Sequence, residues 1–445
     1  MTAFHSSNDT IAAIATPSGR GGIGVIRVSG KNLLSLTELI CGHLPKPRVA
    51  TFTTFRDAKG QAIDQGLVLY FPAPHSFTGE DVLELHGHGG GAVMQLLLAC
   101  CLEAGARLAE PGEFTKRAFL NNKIDLAQAE SIADLIDASS AQAARSAMRS
   151  LSGEFSHEIN CLVKAIIAVR MLVEASLDFP EEDIDFLKEA NVLGKLDAIR
   201  LQLCKIFEQA RQGLALREGL HVVLIGQPNV GKSSLLNRLA GEEVAIVTSI
   251  PGTTRDSLRT LVHLDGIPLH IIDTAGLRDT EDIVEKLGIE QTWKAIKGAG
   301  LALLVVDATH GIADSDRTIL RDLPSTLPVI TVFNKVDLVR DSLVESAGLA
   351  ISAKTGQGIE NLRGELLVAA GWDTQQEGVF LARERHLRAL QEAEQHLIAA
   401  NSKVALVELL AEDLRLAQQA VSRITGEFSA DDLLGEIFSR FCIGK

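Results

Sequence analysis

The sequence predicts a multidomain α+β protein in which a P-loop α/β domain is inserted into a helical-bundle domain. Residues 10–120 mix short β-rich runs with turns and one helix-like stretch, which is typical of an α+β domain. Residues 123–217 and 382–445 repeat apolar side chains every three or four positions, which predicts amphipathic helices. Between them, residues 220–372 alternate short apolar strands with helical patterns, as βαβ units do. We predict four domain segments, namely residues 1–120, 121–216, 217–375 and 376–445.

The elements of the first domain follow from its apolar runs. We predict strands over residues 11–15, 24–28, 67–71 and 82–86, and one helix over residues 92–104. In the helical segments, Ile132, Leu135 and Ile136 illustrate the spacing that places apolar side chains on one face of a helix. Pro180 interrupts this pattern, because proline disfavours a helical conformation at the residue before it.

Composition and charge exclude several classes of protein. The chain has 445 residues, with 43 Lys and Arg against 57 Asp and Glu, and its formal net charge is −14. Since no long basic segment is present, strong nucleic-acid binding by this chain alone is not predicted. The apolar run from Leu301 to Val306 is far shorter than the roughly 20 residues that cross a bilayer. Six cysteines without a C-x-x-C pair predict neither a zinc site nor a disulfide framework, so we expect a cytoplasmic protein with reduced thiols.

A phosphate-binding motif opens the inserted domain. Residues 226–233 read GQPNVGKS, after the apolar run 221–225 and before the helical residues 234–239. This is G-x-x-x-x-G-K-S in the strand–loop–helix context that a P-loop requires. The loop N–H groups surround a β-phosphate, Lys232 carries charge to the β- and γ-oxygens, and the Ser233 hydroxyl ligates Mg²⁺.

Two later motifs complete the pattern of a GTPase. Residues 273–276 read DTAG after a predicted strand, so Asp273 can hold a Mg²⁺-bound water and the Gly276 N–H can meet the γ-phosphate. Residues 334–337 read NKVD, and the Asp337 carboxylate can accept both N1–H and N2–H of guanine. Adenine offers neither donor. A backbone N–H in the segment Ser352, Ala353 and Lys354 is expected to reach guanine O6.

The residue after the DTAG motif is unusual for a GTPase. Leu277 stands where Ras-like enzymes carry the glutamine that orients the attacking water, so another group must do this. Candidate carboxylates follow at Asp279, Glu281, Asp282 and Glu285, although by sequence alone most of these are simply solvated loop residues. Arg255 and Arg278 are candidate arginine fingers or surface ion-pair partners.

Two glycine-rich stretches in the first domain are not assigned a cofactor. Residues 19–24 satisfy G-x-G-x-x-G, but the residues that follow predict a strand rather than the helix of a dinucleotide site. His86 and His88 flank Gly87 without a third ligand nearby, so metal binding is not predicted.

Taken together, these motifs resemble the MnmE (TrmE) family of bacterial tRNA modification GTPases. The resemblance covers the whole chain, from residues 19–24 through the inserted domain to residues 441–445, FCIGK. It implies GTP hydrolysis coupled, with the flavoprotein MnmG, to adding an aminomethyl or carboxymethylaminomethyl group at C5 of a tRNA wobble uridine. It also implies a homodimer through the first domain, a heterotetramer with MnmG, and FAD on the partner rather than on this chain.

The resemblance implies a K⁺ ion in the place of an arginine finger. Its ligands by motif match are Asn229, Thr248, Ile250 through its carbonyl, and Thr253, while Thr254 ligates Mg²⁺ and Glu285 orients water. Pro251 stands where some family members carry alanine. The residues expected to be catalytic are Glu285 and Lys232, and those expected to contact GTP are Asn229, Val230, Gly231, Lys232, Ser233, Ser234, Thr248, Ser249, Ile250, Pro251, Gly252, Thr253, Thr254, Asp273, Thr274, Ala275, Gly276, Asn334, Lys335, Asp337, Ser352, Ala353 and Lys354.

The resemblance further implies a tetrahydrofolate-binding fold for the first domain, with 5-formyl- or 5,10-methylene-tetrahydrofolate as ligand. By match, Arg27, Glu84, Lys123 and Lys445 belong to that site. Cys442 is a candidate nucleophile beside it, and an inert thiol is the alternative.

Two other functions remain open from the sequence. One is a ribosome-assembly or other RNA-binding GTPase, against which the first domain and the C-terminal CIGK sequence argue. The other is a folate-dependent aminomethyltransferase in which GTP is only regulatory. Modification by a variant that binds but does not hydrolyse GTP would separate the latter from the leading hypothesis.

Overall fold

The structure is a computed structural model that describes residues 9–178, 191–241, 259–273, 296–339, 348–373, 378–403, 406–427, 431–439 and 441–444. The described helices are α1 (Leu34–Cys41), α2 (Gly91–Glu103), α3 (Glu113–Leu120), α4 (Leu126–Asp137), α5 (Ala141–Leu151), α6 (Glu154–Asp178), α7 (Val192–Glu218), α8 (Lys232–Ala240), α9 (Asp314–Asp322), α10 (Ile359–Ala369), α11 (Glu384–Ser402), α12 (Val407–Thr425) and α13 (Asp431–Ser439). The strands are β1 (Ile11–Ile14), β2 (Gly21–Gly30), β3 (Thr51–Arg56), β4 (Ala62–Phe71), β5 (Asp81–Gly89), β6 (Arg107–Leu108), β7 (Leu220–Ile225), β8 (Arg259–Leu264), β9 (Ile267–Asp273), β10 (Leu301–Asp307), β11 (Val329–Asn334) and β12 (Leu349–Ala350).

The chain divides into two compact units. The first comprises Met1–Ala133 with Gln419–Lys445, and the second comprises Asp134–Gln418. The four predicted domain bounds stay a prediction. No helix among the described residues is long and apolar enough to span a membrane.

The first unit is built on a six-stranded sheet in the order β3-β4-β5-β2-β1-β6. Its strand pairs are antiparallel except for the pair of β1 with β6. Helices α1 and α2 pack on one face of this sheet and bury its core, because successive strand residues point to opposite faces. The predicted α+β architecture is confirmed. Residues 21–30 form a strand, which also confirms that the glycine-rich stretch does not open a dinucleotide-binding helix.

A buried group of charged residues joins α3 to the sheet of the first unit. Arg117 donates to Glu80 at 3.0 Å, to Glu113 at 3.0 Å and to Asp9 at 2.7 Å. Arg107 donates to Glu113 and Asp9, each at 2.6 Å. Burial alone raises the pKa of Asp9, but hydrogen bonds and charge from the two arginines outweigh burial and lower it. Because every charge has a partner, these residues brace α3 without an unpaired buried ion.

The second unit contains a six-stranded sheet in the order β12-β11-β10-β7-β9-β8. All neighbouring pairs are parallel except β8 with β9, which confirms the predicted, mainly parallel α/β domain. Both faces of this sheet are covered. Val222 and Leu224 of β7 enter one apolar core, whereas Val223 and Ile225 enter the other.

Helices flank this α/β domain in the sequence and pack together in space. Helix α7 precedes the domain, α11 follows it, and the two helices pack against one another and alongside α6. A single residue, Gly219, separates α7 from β7. The α/β domain is therefore inserted between two helices that remain in contact, as the sequence predicts.

Candidate nucleotide site

The P-loop joins β7 to α8 at the carboxyl end of the parallel sheet, where ligands bind in such folds. Gly231 has φ +98°, and a Cβ atom there would collide with the side-chain amide of Asn334. Lys232 Nζ donates to the Gly226 carbonyl at 2.7 Å and to the Gln227 carbonyl at 3.0 Å. The ammonium therefore lies over the loop, where phosphate oxygens would be its anionic partners.

The NKVD motif, which is predicted to recognise the base, is bonded directly to the P-loop. Buried Asn334 donates through Nδ2 to the Val230 carbonyl at 2.8 Å and accepts the Ala353 N–H at 2.9 Å through Oδ1. Lys335 Nζ donates to the Asn229 carbonyl at 2.7 Å and to Asp307 Oδ2 at 2.7 Å. These hydrogen bonds therefore hold the predicted phosphate-binding end and the predicted base-binding end of the candidate site together.

Asp307 anchors Lys335 from the end of β10. Burial alone raises the pKa of Asp307, but hydrogen bonds from Lys335 and Thr309 outweigh burial and lower it to about 2. Asp307 lies outside every motif identified in the sequence. Its position at a strand end, one strand from the NKVD motif, was the only signal that could have found it.

Asp337 lies on a short 3₁₀ helix, Val336–Leu338, and accepts the Ser352 hydroxyl at 2.7 Å. A carboxylate has about four lone-pair positions, so this contact leaves acceptor capacity for a purine edge. The Ala353 N–H donates to Asn334, so the expected contact from residues 352–354 to guanine O6 stays a prediction.

Part of the predicted site lies outside the described residues. This holds for the segments 248–254 and 274–276, for Glu285, and for Lys445 at the chain end. Asp273 ends β9, and its backbone is described while its side chain is not. Of the four expected K⁺ ligands only Asn229 is described, with φ +64°, a conformation that asparagine tolerates better than most residues. Ser233 is exposed in the first turn of α8, next to Lys232, where a hydroxyl can ligate Mg²⁺.

A second polar site lies on the open face of the sheet in the first unit. Arg27 of β2 is opposite Glu84 of β5, and its Nε and Nη2 donate to Glu84 Oε1 at 3.0 and 2.9 Å. The guanidinium also lies 5.7 Å from the ring centre of Phe77 and 5.9 Å from that of Phe114. His86 Nε2 is 3.2 Å from Glu84 Oε2. Sequence reasoning paired Arg27 with Glu84 by resemblance but did not include His86 or the two phenylalanines.

Lys123 and Cys442, which are also predicted for the folate site, have contacts with residues other than Arg27 and Glu84. Lys123 Nζ donates to the Pro74 carbonyl at 2.9 Å. Cys442 is exposed, and its carbonyl accepts the Gly112 N–H at 3.3 Å. His88 pairs with Asp64 at 2.7 Å rather than with His86.

The fold and the site define a P-loop protein of the guanine-nucleotide-binding class. The family model described as the MnmE helical domain matches residues 126–442, and the model described as the N-terminus of the GTP-binding protein TrmE matches residues 10–123. The tRNA modification GTPase MnmE of Dechloromonas aromatica is 62% identical over 447 residues, which cover 98% of this chain and 100% of that protein. That of Chromobacterium violaceum is 60% identical over 446 residues, 98% of each chain. A solved structure of Era from Aquifex aeolicus is 25% identical, with 40% of this chain and 67% of that chain covered and a TM-score of 0.29. The chain belongs to the MnmE family, as the sequence motifs indicate.

Proposed function

We propose that this protein is a K⁺-dependent GTP hydrolase that, with MnmG, drives 5-(carboxymethyl)aminomethyl modification of the wobble uridine of certain tRNAs. The observation that carries the proposal is similarity over the whole chain. Relatives named tRNA modification GTPase are 62% and 60% identical over 98% of it. Because the similarity is not confined to the α/β domain, it favours a function that uses every domain.

The described residues support guanine-nucleotide binding. Lys232 provides a cation for the phosphates, and Asp337 provides an acceptor for the two guanine N–H groups. ATP is disfavoured because adenine would leave the carboxylate without these donors. Asn334 and Lys335 keep the P-loop and the base motif in one arrangement through their bonds to the Val230 and Asn229 carbonyls.

Hydrolysis is assigned to residues that would hold two cations and orient a water molecule. Ser233, Thr254 and, through water, Asp273 would hold Mg²⁺, while Asn229, Thr248, Ile250 and Thr253 would hold K⁺. When bound, the two cations supply positive charge to the phosphate oxygens. Glu285 would orient the attacking water, since Leu277 has no polar group for this purpose.

The Arg27–Glu84 site is the proposed place of the one-carbon donor, 5-formyl- or 5,10-methylene-tetrahydrofolate. The Glu84 carboxylate can accept hydrogen bonds from the N–H-bearing pterin edge, and the two aromatic rings beside Arg27 offer flat apolar surface to it. Lys123 and Lys445 suit the anionic folate tail. Cys442 is the proposed nucleophile, in an exposed position near the chain end.

The proposed partners are tRNA, MnmG with its FAD, and a second copy of this chain through the first domain, in the cytoplasm. The net charge of −14 supports a partner that supplies much of the tRNA-binding surface.

The test is mass analysis of tRNA nucleosides from a strain that lacks this gene and carries either the wild-type chain or Glu285→Ala. We expect the wild type to restore the modified uridine and Glu285→Ala to bind GTP without restoring it. Hydrolysis should also be much slower in Na⁺ than in K⁺. Normal modification by a variant that cannot hydrolyse GTP would instead favour the folate-dependent aminomethyltransferase with regulatory GTP.

A further inference from the structure

In the sequence the β8–β9 hairpin of the second unit lies between two segments that are proposed to contact the nucleotide, and its closed end contacts helices. By sequence, β8 follows residues 248–254 and β9 ends at Asp273. The closed end is a two-residue turn, because Leu264 pairs with Ile267. Asp265 and Gly266 have φ +47° and +82°, as in the tight turns that match strand twist.

This turn touches the junction between α4 and α5 at three points. Ser140 Oγ donates to the Gly266 carbonyl at 2.8 Å, and Ser139 Oγ is 3.0 Å from buried His263 Nε2. A Cβ atom at Gly266 would lie 2.9 Å from the Gln142 side chain, so glycine permits the close approach. The contact is therefore specific in its hydrogen bonds and tight in its packing.

Ion pairs of Asp134 connect the end of α4 to the two places where the chain enters and leaves the inserted domain. Buried Asp134 of α4 accepts Arg217 Nε at 2.9 Å and Arg383 Nη2 at 2.7 Å through Oδ1. Arg217 lies at the end of α7, just before β7, and Arg383 lies just before α11. A cavity of about 380 Å³ borders the junction and is lined by Asp134, Ser139, Arg217 and His221 among others. The cavity leaves this side of the junction without close packing, so there the hydrogen bonds and the ion pair contribute to the attachment.

We propose that Ser139 and Ser140 are positioning residues that fix the β8–β9 hairpin to the junction between α4 and α5. Through this contact they transmit the nucleotide state of the α/β domain to these helices. The hairpin is a hydrogen-bonded ladder of two strands, so a displacement at its open end moves its closed end. Residues 139–142 hold the turn at the closed end, so the helices resist or follow that movement in part through these residues. The link to tRNA modification rests on the function proposed above.

Ser140 allows the attachment to be separated from helix capping. Its Oγ also accepts the Ala143 N–H at 3.1 Å and so caps α5. Ser140→Asp keeps a capping acceptor but has no proton to donate to the Gly266 carbonyl. Ser140→Asn keeps both an acceptor and a donor, and Ser140→Ala removes both. Ser152→Ala is a matched control, since that hydroxyl caps the other end of α5 and donates to the Arg149 carbonyl.

The experiment compares these full-length variants in amide hydrogen exchange, GTP turnover and modified uridine formed per GTP hydrolysed. For Ser140→Asp and Ser140→Ala we expect exchange in residues 262–264 to rise and the coupling ratio to fall, each by about fivefold, as the loss of one hydrogen bond implies. GTP turnover should stay within about twofold of wild type, Ser140→Asn should restore the coupling ratio, and Ser152→Ala should change none of these quantities.

Wild-type exchange in Ser140→Asp would overturn the attachment, and faster exchange with an unchanged coupling ratio would overturn its role in transmission. If the wild-type chain hydrolyses GTP but modifies no tRNA, the function proposed above fails, and the exchange result still judges the attachment.

Discussion

In the candidate nucleotide site the polar side chains lie at the ends of parallel strands and in the segments that follow them, whereas in the Arg27–Glu84 site they lie within the strands. Residues of the first kind are neighbours in sequence, as in the NKVD motif at 334–337, and they bond to the P-loop across strand ends. Arg27 and Glu84 are 57 positions apart and meet only because β2 pairs with β5. The comparison shows why sequence motifs predict the first site, whereas the residues of the second site come together only when the sheet forms.

The largest effect is expected where the two ends of the nucleotide site touch. Gly231→Ala places a Cβ atom against the Asn334 amide at a positive φ, so Asn334 must leave the Val230 carbonyl. Overpacking of this kind costs roughly 3 kcal/mol, and we expect GTP affinity to fall by about a hundredfold in a fluorescent-nucleotide titration.

Gly311→Ala is the control for this change. Gly311 also has a positive φ, +71°, but nothing lies within 4 Å of its Cβ position. If both variants lose affinity equally, backbone strain rather than the collision with Asn334 is responsible, and the direct attachment of base motif to P-loop does not matter for binding.

The second effect concerns the strand-borne site. Arg27→Ala removes the partner of Glu84 and the cation between two aromatic rings, so we expect tetrahydrofolate affinity to fall by about tenfold in calorimetry. GTP turnover should not change. Arg56→Ala is the control on the same sheet, since Arg56 of β3 is exposed and donates to the Gly60 carbonyl at 3.0 Å. Equal loss in both variants would contradict a local role for Arg27.

The smallest effect concerns stability and pH. The pKa of Asp307 lies below its ordinary value of 3.8, at about 2, so its pairing with Lys335 stabilises the fold above about pH 4 and is lost as the pH falls through about 2. We expect Asp307→Asn to lower the free energy of unfolding by about 1 kcal/mol at pH 7, measured by urea denaturation. The difference from wild type should shrink below pH 4. A difference that is constant from pH 7 to pH 3 would show that the charge of Asp307 does not matter.

Much of the α/β domain could be predicted because its signals are local. The P-loop, the DTAG and NKVD motifs and the alternating strands each occupy a few consecutive residues, and the sheet order follows from parallel βαβ connections. The hydrogen bonds from Lys335 to Asp307 and from Asn334 to the Val230 carbonyl could not be predicted. They depend on the distance between neighbouring strand ends rather than on any motif.

The Arg27–Glu84 site shows more clearly that sequence motifs do not reveal contacts between distant segments. Glu84 and His86 are two positions apart and therefore on one face of β5, but nothing in their spacing distinguishes an open face from a buried one. Phe77 and Phe114 reach Arg27 from a loop and from α3, so their contribution appears only when the sheet and the helix are assembled. Likewise, the hydrogen bond from Ser140 to the Gly266 carbonyl depends on how the hairpin turn packs against α5 and not on any motif.

The measurement that most directly tests the central claim, that guanine-nucleotide hydrolysis drives tRNA modification, is a change of nucleotide at Asp337. Xanthine carries a carbonyl where guanine carries its N2 amino group, so Asp337→Asn offers it an amide donor in place of the carboxylate. We expect Asp337→Asn to lose both hydrolysis and tRNA modification with GTP and to recover both with XTP. Full modification by Asp337→Asn in GTP alone, without hydrolysis, would contradict the account.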